Sequence, residues 1–147
     1  GIENYLIVNP VESQKELIGR ISHFWDEGFG STWNHNRSEA LDILRPFNDL
    51  TEVYEFIREK EKSEPILVTT SARKFPNTIT FENLRERIFQ EKNIYLILLG
   101  TGWGLPPEIM LESDYILEAI NGHTDFNHLS VRSAASIILD RLLKKED

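Results

Sequence analysis

The chain contains no cysteine among its 147 residues. Disulfides, thiolate metal sites and cysteine nucleophiles are thereby excluded, and the composition suits an intracellular protein. Basic residues are in short supply, with 16 Lys plus Arg against 24 Asp plus Glu and a formal net charge of −8. Such a chain has no general attraction to phosphate backbones or anionic membranes, so nucleic-acid binding requires a local basic patch, a partner or an attached domain. Long apolar runs are missing too. The longest, Ile94 to Leu99, is strand-sized and far short of the roughly 20 residues that cross a bilayer. The opening GIENYLIVNP has neither the basic region nor the apolar stretch of a signal peptide, and a cytoplasmic location is expected. Internal repeats and low-complexity segments are absent.

What remains is ordinary globular composition, 40% hydrophobic and 27% charged. The length predicts a single domain over residues 1–147 with a real core. Four continuous apolar runs read as buried strands: Tyr5 to Val8, Ile66 to Thr70, Ile94 to Leu99 and Tyr115 to Ile120. Helical stripes separate them. Leu17, Ile18, Ile21, Phe24 and Trp25 form the first. Leu50, Val53, Tyr54 and Ile57 form another, capped by Asn48 or Asp49. Phe81, Leu84, Ile88 and Phe89 follow a capping Thr80. The last helix starts near Ser130 with Val131, Ala134, Ala135, Ile138, Leu139 and Leu142 on one face, and Ile137 and Leu143 form a second apolar edge beside it. Phe29 to Arg37, rich in Gly, Ser and Asn, predicts an ordered loop. A short helix is expected over Ser38 to Leu44 and another from Pro107 through Leu111. Buried strands alternating with helices predict an α/β fold, a parallel sheet sandwiched by helices.

In an open parallel sheet, ligands bind beyond the carboxyl ends of the strands. Three such loops stand out: TTSARK, GTGWGL and NGHTDFNHLS. Gly100, Gly102 and Gly104 permit positive φ or a close backbone approach to a ligand, beyond what a simple turn requires. Trp103, flanked by glycines, is placed to wall a pocket. The G-x-G-x-x-G pattern fails because Leu105 stands at the third glycine, and the Gly-Lys-Ser/Thr of a P-loop is missing. A G-x-S-x-G elbow is missing as well. His123, Asp125 and His128 lack the spacing of a known metal frame and read as turn residues, so no metal is expected.

The run NHLSVRSAASIIL at Asn127 to Leu139, with LILLGTGWGL upstream, resembles the two C-terminal motifs of the SPOUT superfamily of RNA methyltransferases. SDYIL, DFNHLSVRSA, IILDRL, YLIVNP, Trp33-Asn34 and Arg37-Ser38-Glu39-Ala40-Leu41 are similar to a bacterial family found alone or fused to a tRNA guanine-N1 methyltransferase. The resemblance covers essentially the whole chain. It implies a C-terminal deep trefoil knot that binds S-adenosylmethionine, and a homodimer paired through the last helix and the knot. It further implies methylation of RNA, in particular tRNA. Family members carry a strand–helix unit ahead of Tyr5 that holds a first motif, and nothing here corresponds to it; the resemblance therefore implies a chain lacking that unit.

Carried over residue by residue, the cofactor would rest on Thr70, Ser71, Leu99, Gly100, Thr101, Gly102, Gly104, Leu105, Leu117, Ile120, Gly122, Asn127, Leu129 and Ser130. Asn127, Ser130 and Arg132 match the third motif and are the catalytic candidates. Arg73 and Lys74, after the second strand, are placed to position an RNA phosphate. The acidic balance and the unmatched first motif support an alternative, a non-catalytic cofactor-binding and dimerisation module that assists a fused tRNA methyltransferase.

Overall fold

The computed structural model describes residues 1–124 and 127–145. Asp125, Phe126, Glu146 and Asp147 lie outside the described residues; with them go one member of the His123–Asp125–His128 trio and the first two residues of the DFNHLSVRSA run. The chain forms two compact units, Gly1–Lys62 and from Ser63 on. Each contains its own parallel sheet, where the sequence predicted one sheet for all strands.

In the first unit, strand β1 (Tyr5–Val8) pairs in parallel with β2 (Leu44–Phe47), Tyr5 opposite Leu44. The strand β2 replaces the end of the helix expected over Ser38 to Leu44. Proline is tolerated here because only one edge of β2 is paired. Helices α1 (Glu12–Asp26), α2 (Phe29–Trp33) and α3 (His35–Leu41) link the two strands, and α4 (Leu50–Glu61) follows. The expected loop at 29–37 is therefore mostly helical. Gly30 is required by close packing, since a Cβ there would lie 2.6 Å from the Trp25 ring. Asn34 caps α3 by accepting from the Arg37 N–H at 3.2 Å. The cap of α4 is Asp49, which accepts from the Glu52 N–H at 3.0 Å, while Glu52 reaches back to the Asn48 N–H at 2.7 Å. Val53 and Ile57 on α4 are the buried hydrophobic side chains of this unit.

The second unit is built on the order β4–β3–β5, all parallel, with β3 Ile66–Thr69, β4 Tyr95–Leu98 and β5 Tyr115–Ile116. The fourth strand is shorter than the Tyr115–Ile120 run predicts. Its continuation is taken up by a different pairing: Leu117 forms an isolated parallel bridge with Ile79. Thr69 O receives the Leu117 N–H at 2.9 Å, whereas Ile79 N donates to Ile116 O at 2.8 Å and Glu118 N donates to Ile79 O at 2.9 Å. Because successive backbone groups of a strand point to opposite edges, β3 and Ile79 flank the end of β5 on its two sides.

Helices α5 (Phe81–Gln90), α6 (Pro107–Glu112) and α7 (Val131–Leu143) complete this unit. Thr80 caps α5 through the Asn83 N–H, and the Glu118 carboxylate accepts the Phe81 N–H at 2.7 Å. Val68, Phe81, Leu84, Leu117, Ile138 and Leu142 form the core cluster. Full burial of such side chains supplies about 1.5–3 kcal/mol each. Leu143 packs on this cluster, and Ile137 is half-buried, so the second apolar edge of the last helix is narrower than the sequence suggests. The one buried polar side chain among the described residues, Thr69, has its hydroxyl paired with Ser113 at 3.0 Å.

Candidate functional site

Since β3, β4 and β5 run parallel, the loops that follow them leave one edge of the sheet. Hydrogen bonds tie these loops together. Thr70 Oγ1 donates to Leu98 O at 2.8 Å, which joins the first loop to the end of β4. Asn127 Nδ2 donates to Ala72 O at 2.6 Å, which joins the third loop to the first. Ser71 Oγ accepts from the Arg73 N–H at 3.0 Å and turns the chain sharply after Thr70.

The second loop folds on itself, with Gly104 N donating to Thr101 O at 3.1 Å. Gly102 and Gly104 have φ of +55° and +90°, the left-handed region that favours glycine. A Cβ on Gly100 would collide with the Gly104 carbonyl carbon and sit 2.6 Å from Leu105 N. On Gly102 or Gly104 a Cβ would meet nothing within 4 Å, so the outer side of this turn is open to a ligand. Leu99 and Ile120 pack against the core at the same edge and are only partly buried. An open backbone turn beside half-exposed aliphatic side chains fits an adenosyl group, which needs apolar walls and a few backbone partners.

Of the residues expected to hold a cofactor, Thr70, Ser71, Leu99, Gly100, Leu105 and Ile120 are half-buried along this edge, and Thr101, Gly102, Gly104 and Gly122 are exposed on it. The Leu117 side chain, 2% exposed, belongs to the core. Leu129 is 45% exposed. Asn127 clasps Ala72, and Ser130 caps α7 by accepting from the Ser133 N–H at 3.2 Å. Arg132 is exposed on the first turn of α7. Trp103, read from the sequence as a pocket wall, is 99% exposed and walls nothing.

Two elements of this edge escaped the sequence reading, Ala72 as the partner of Asn127 and Ile79 as the bridge to β5. The β-branched Thr78-Ile79-Thr80 was a strand signal, too short to separate from the polar loop around it.

Groups with shifted ionisation lie elsewhere. Burial, and hydrogen bonding to Glu91 at 2.8 Å, push the Tyr95 phenol up to about 12 at the opposite end of β4. An open groove of about 580 Å³ along α5 is lined by Asn83, Arg87, Asp114 and Tyr115. Its polar and charged walls at the start of β5 suit an adenosyl group poorly, so the three-loop edge is the stronger candidate. No group of metal-ligating residues occurs among the described residues, and no described helix is long and apolar enough to cross a membrane.

Compared with known proteins, residues 1–144 match a family model described as SAM-dependent RNA methyltransferase. An uncharacterized protein of Aquifex aeolicus (strain VF5) is 42% identical over 144 residues, 98% of this chain and 70% of that protein. Proteins named tRNA (guanine-N(1)-)-methyltransferase from Oleidesulfovibrio alaskensis and Nitratidesulfovibrio vulgaris are 37% and 36% identical over 143 residues. Those alignments cover 97% of this chain but 33% of each relative, so the chain spans a third of their length. The solved structure of a probable methylase family protein from Haemophilus influenzae Rd KW20 shares the fold, with a TM-score of 0.54 at 21% identity over 71% of this chain and 44% of that one. The chain belongs to the family of SAM-dependent RNA methyltransferases.

Proposed function

We propose that the chain binds S-adenosylmethionine on the three-loop edge of its second unit and serves in methyl transfer to tRNA. The observation that carries this reading is the open glycine turn at Gly102 and Gly104, joined to its neighbouring loops by Thr70 and Asn127. When bound, the sulfonium cofactor supplies an already activated methyl group. The residues of this chain then hold and orient it. Backbone groups of 99–105 and, among the described residues of 116–130, those of 116–124 and 127–130 hydrogen-bond the adenine and ribose, while Leu99, Leu105, Ile120 and Leu129 exclude water. Asn127, Ser130 and Arg132 are assigned to the reacting side, with Arg132 the one cation on the first turn of α7. Arg73 and Lys74 position an RNA phosphate.

Flanking of the β5 end by Thr69 and Ile79 supports a trefoil knot. The loop that joins Thr69 to Ile79 bridges the end of β5. The family match over 1–144 supports treating both units as one working domain. Pairing into a homodimer through α7 rests on the half-buried Ile137 edge. The relatives named tRNA (guanine-N(1)-)-methyltransferase support a fused or partner enzyme of that kind, and a role in RNA modification supports a cytoplasmic setting. Tritiated-methyl transfer from S-adenosylmethionine to unmodified tRNA by the protein, followed by nucleoside mapping, tests the reading. Incorporation into one nucleoside supports it. Binding of cofactor without incorporation supports instead the non-catalytic module that assists a fused enzyme.

A further inference from the structure

Trp103 is a large aromatic side chain with 99% of its surface in water, at the tip of a turn fixed by the left-handed Gly102 and Gly104. An indole so exposed contributes none of the stabilisation that burial would give, and the short turn bonded from Gly104 N to Thr101 O carries it at its tip. Another feature of the same edge is electrostatic. Although the chain carries 24 acidic residues, none falls in 70–80 or 99–106, the loops that follow β3 and β4. The first of them carries Arg73 and Lys74, and Arg132 stands on the first turn of α7. Two acids stand on the segment between β5 and α7, Glu118 and Asp125. Of these, Glu118 has one carboxylate oxygen occupied by the Phe81 N–H at 2.7 Å. A strongly acidic protein thus keeps most of one sheet edge free of anions and raises a single indole above it.

We infer that Trp103 is a stacking platform for an unpaired RNA base beside the cofactor loops, a role that rests on the RNA-methyltransferase reading and extends it to the acceptor. Chemistry on a base requires that the base leave its helical stack, and an aromatic face replaces the lost stacking without regard to sequence. The two acid-free loops, with Arg73 and Lys74 on one of them, admit the phosphates that arrive with it. Apolar partners of other kinds, such as a second copy of this chain, would bury the ring but would give no reason for excluding acids from the loops around it.

The test uses fluorescence anisotropy with the wild-type chain, Trp103→Ala and Trp103→Phe, each saturated with S-adenosylmethionine. The probes are an end-labelled single-stranded RNA of about 12 nucleotides and an abasic oligomer of equal length and charge. Stacking of one base predicts that Trp103→Ala weakens RNA binding about tenfold and leaves abasic binding unchanged, while Trp103→Phe keeps most of the wild-type affinity. Cofactor affinity should be the same in all three. Equal RNA affinity in wild type and Trp103→Ala overturns the inference, as does an equal loss on both probes. Conversion of a dimer to a monomer by Trp103→Ala, with RNA affinity retained, overturns it in favour of a self-contact. A wild-type chain that binds cofactor but neither probe overturns the inference while the cofactor reading stands; failure to bind cofactor removes the reading beneath it.

Discussion

The two units differ in how they are held together. The second has a contiguous core in which Val68, Leu84 and Leu142 are fully buried and Leu117 and Ile138 are nearly so. In the first, Val53 and Ile57 on α4 are buried, while Leu17, Ile21 and Phe24 on α1 remain 47%, 44% and 46% exposed. Phe29 and Trp33 on α2 are more exposed still, and stack edge-on at 5.7 Å. The unit with the firmer core is the one whose strand ends carry the candidate site. That coupling is physically sensible, since a turn with two left-handed glycines holds its shape only if the strands on either side of it are fixed.

Core truncation should break the comparison with the largest effect. Leu84→Ala or Leu142→Ala is expected to cost about 2–5 kcal/mol in urea unfolding, because each leaves a cavity in a packed cluster. Leu17→Ala or Ile21→Ala, on the open face of α1, should cost under about 1 kcal/mol. Similar losses in both units would mean that α1 is covered in solution.

Charge reversal sharpens the contrast at the surface. Arg73→Glu with Lys74→Glu should weaken tRNA binding and lower its salt slope by about 2, with cofactor affinity unchanged. Arg20→Glu on α1 should leave both as they are. Equal salt slopes in filter binding for the double variant and wild type would take Arg73 and Lys74 out of recognition.

How much was legible in advance follows burial and periodicity in both units. Strands β3 and β4 and helices α5 and α7 were plain in the sequence because they are continuous apolar runs or stripes, and burial of that kind is what hydrophobic pattern reports. Ser130 and Thr80 as caps were legible for a similar reason, since each sits just before its stripe. In the first unit β1, α1 and α4 with its Asp49 cap were equally plain, and the pattern misled only between α1 and α4. Strand β2 is four residues with a central Pro46, paired on one edge, and carries almost none of the burial that marks a strand. Helix α2 was hidden by Gly28, Gly30 and Ser31, residues that usually break helices; the contact of Gly30 with Trp25 that demands glycine is tertiary and leaves no local trace. At the site, the glycine turn was readable as composition. The clasp of Asn127 on Ala72 was not, because it joins loops 55 positions apart in the chain.

Smaller effects come from single polar clasps. Asn127→Ala should cost about 1 kcal/mol by losing its bond to the Ala72 carbonyl, and should also weaken cofactor binding by loosening the first and third loops. Asn48→Ala in the first unit removes the Nδ2 hydrogen bond to Glu52 and the oxygen that accepts from Lys15 Nζ, at similar cost and with no effect on cofactor, while the backbone N–H bond to Glu52 stays. Urea unfolding and a cofactor titration, run on both variants, separate the two outcomes.

The smallest effect is a pH dependence centred on Tyr95 of the second unit. Tyr95 holds its proton up to about 12, whereas an unfolded tyrosine loses it near the ordinary value of 10.0. Between those values the unfolded chain has released a proton that the folded chain keeps, so stability falls as pH rises through that window. The contribution is fully present below pH 10, and Tyr95→Phe should reduce the slope in alkaline thermal melts, leaving the part due to Lys60, whose ammonium is held above its ordinary range by its hydrogen bond to Glu3. A slope unchanged by the substitution would place the titrating group elsewhere.

Isothermal calorimetry of S-adenosylmethionine against the wild-type chain and Gly102→Val tests the central claim most directly. The account predicts micromolar affinity, about −8 kcal/mol, for wild type. For Gly102→Val it predicts no measurable binding with folding retained, because a branched side chain is forced into left-handed backbone on the open side of the turn. Wild-type heat indistinguishable from buffer, or equal affinity in the folded variant, would contradict the assignment of the three-loop edge as the cofactor site.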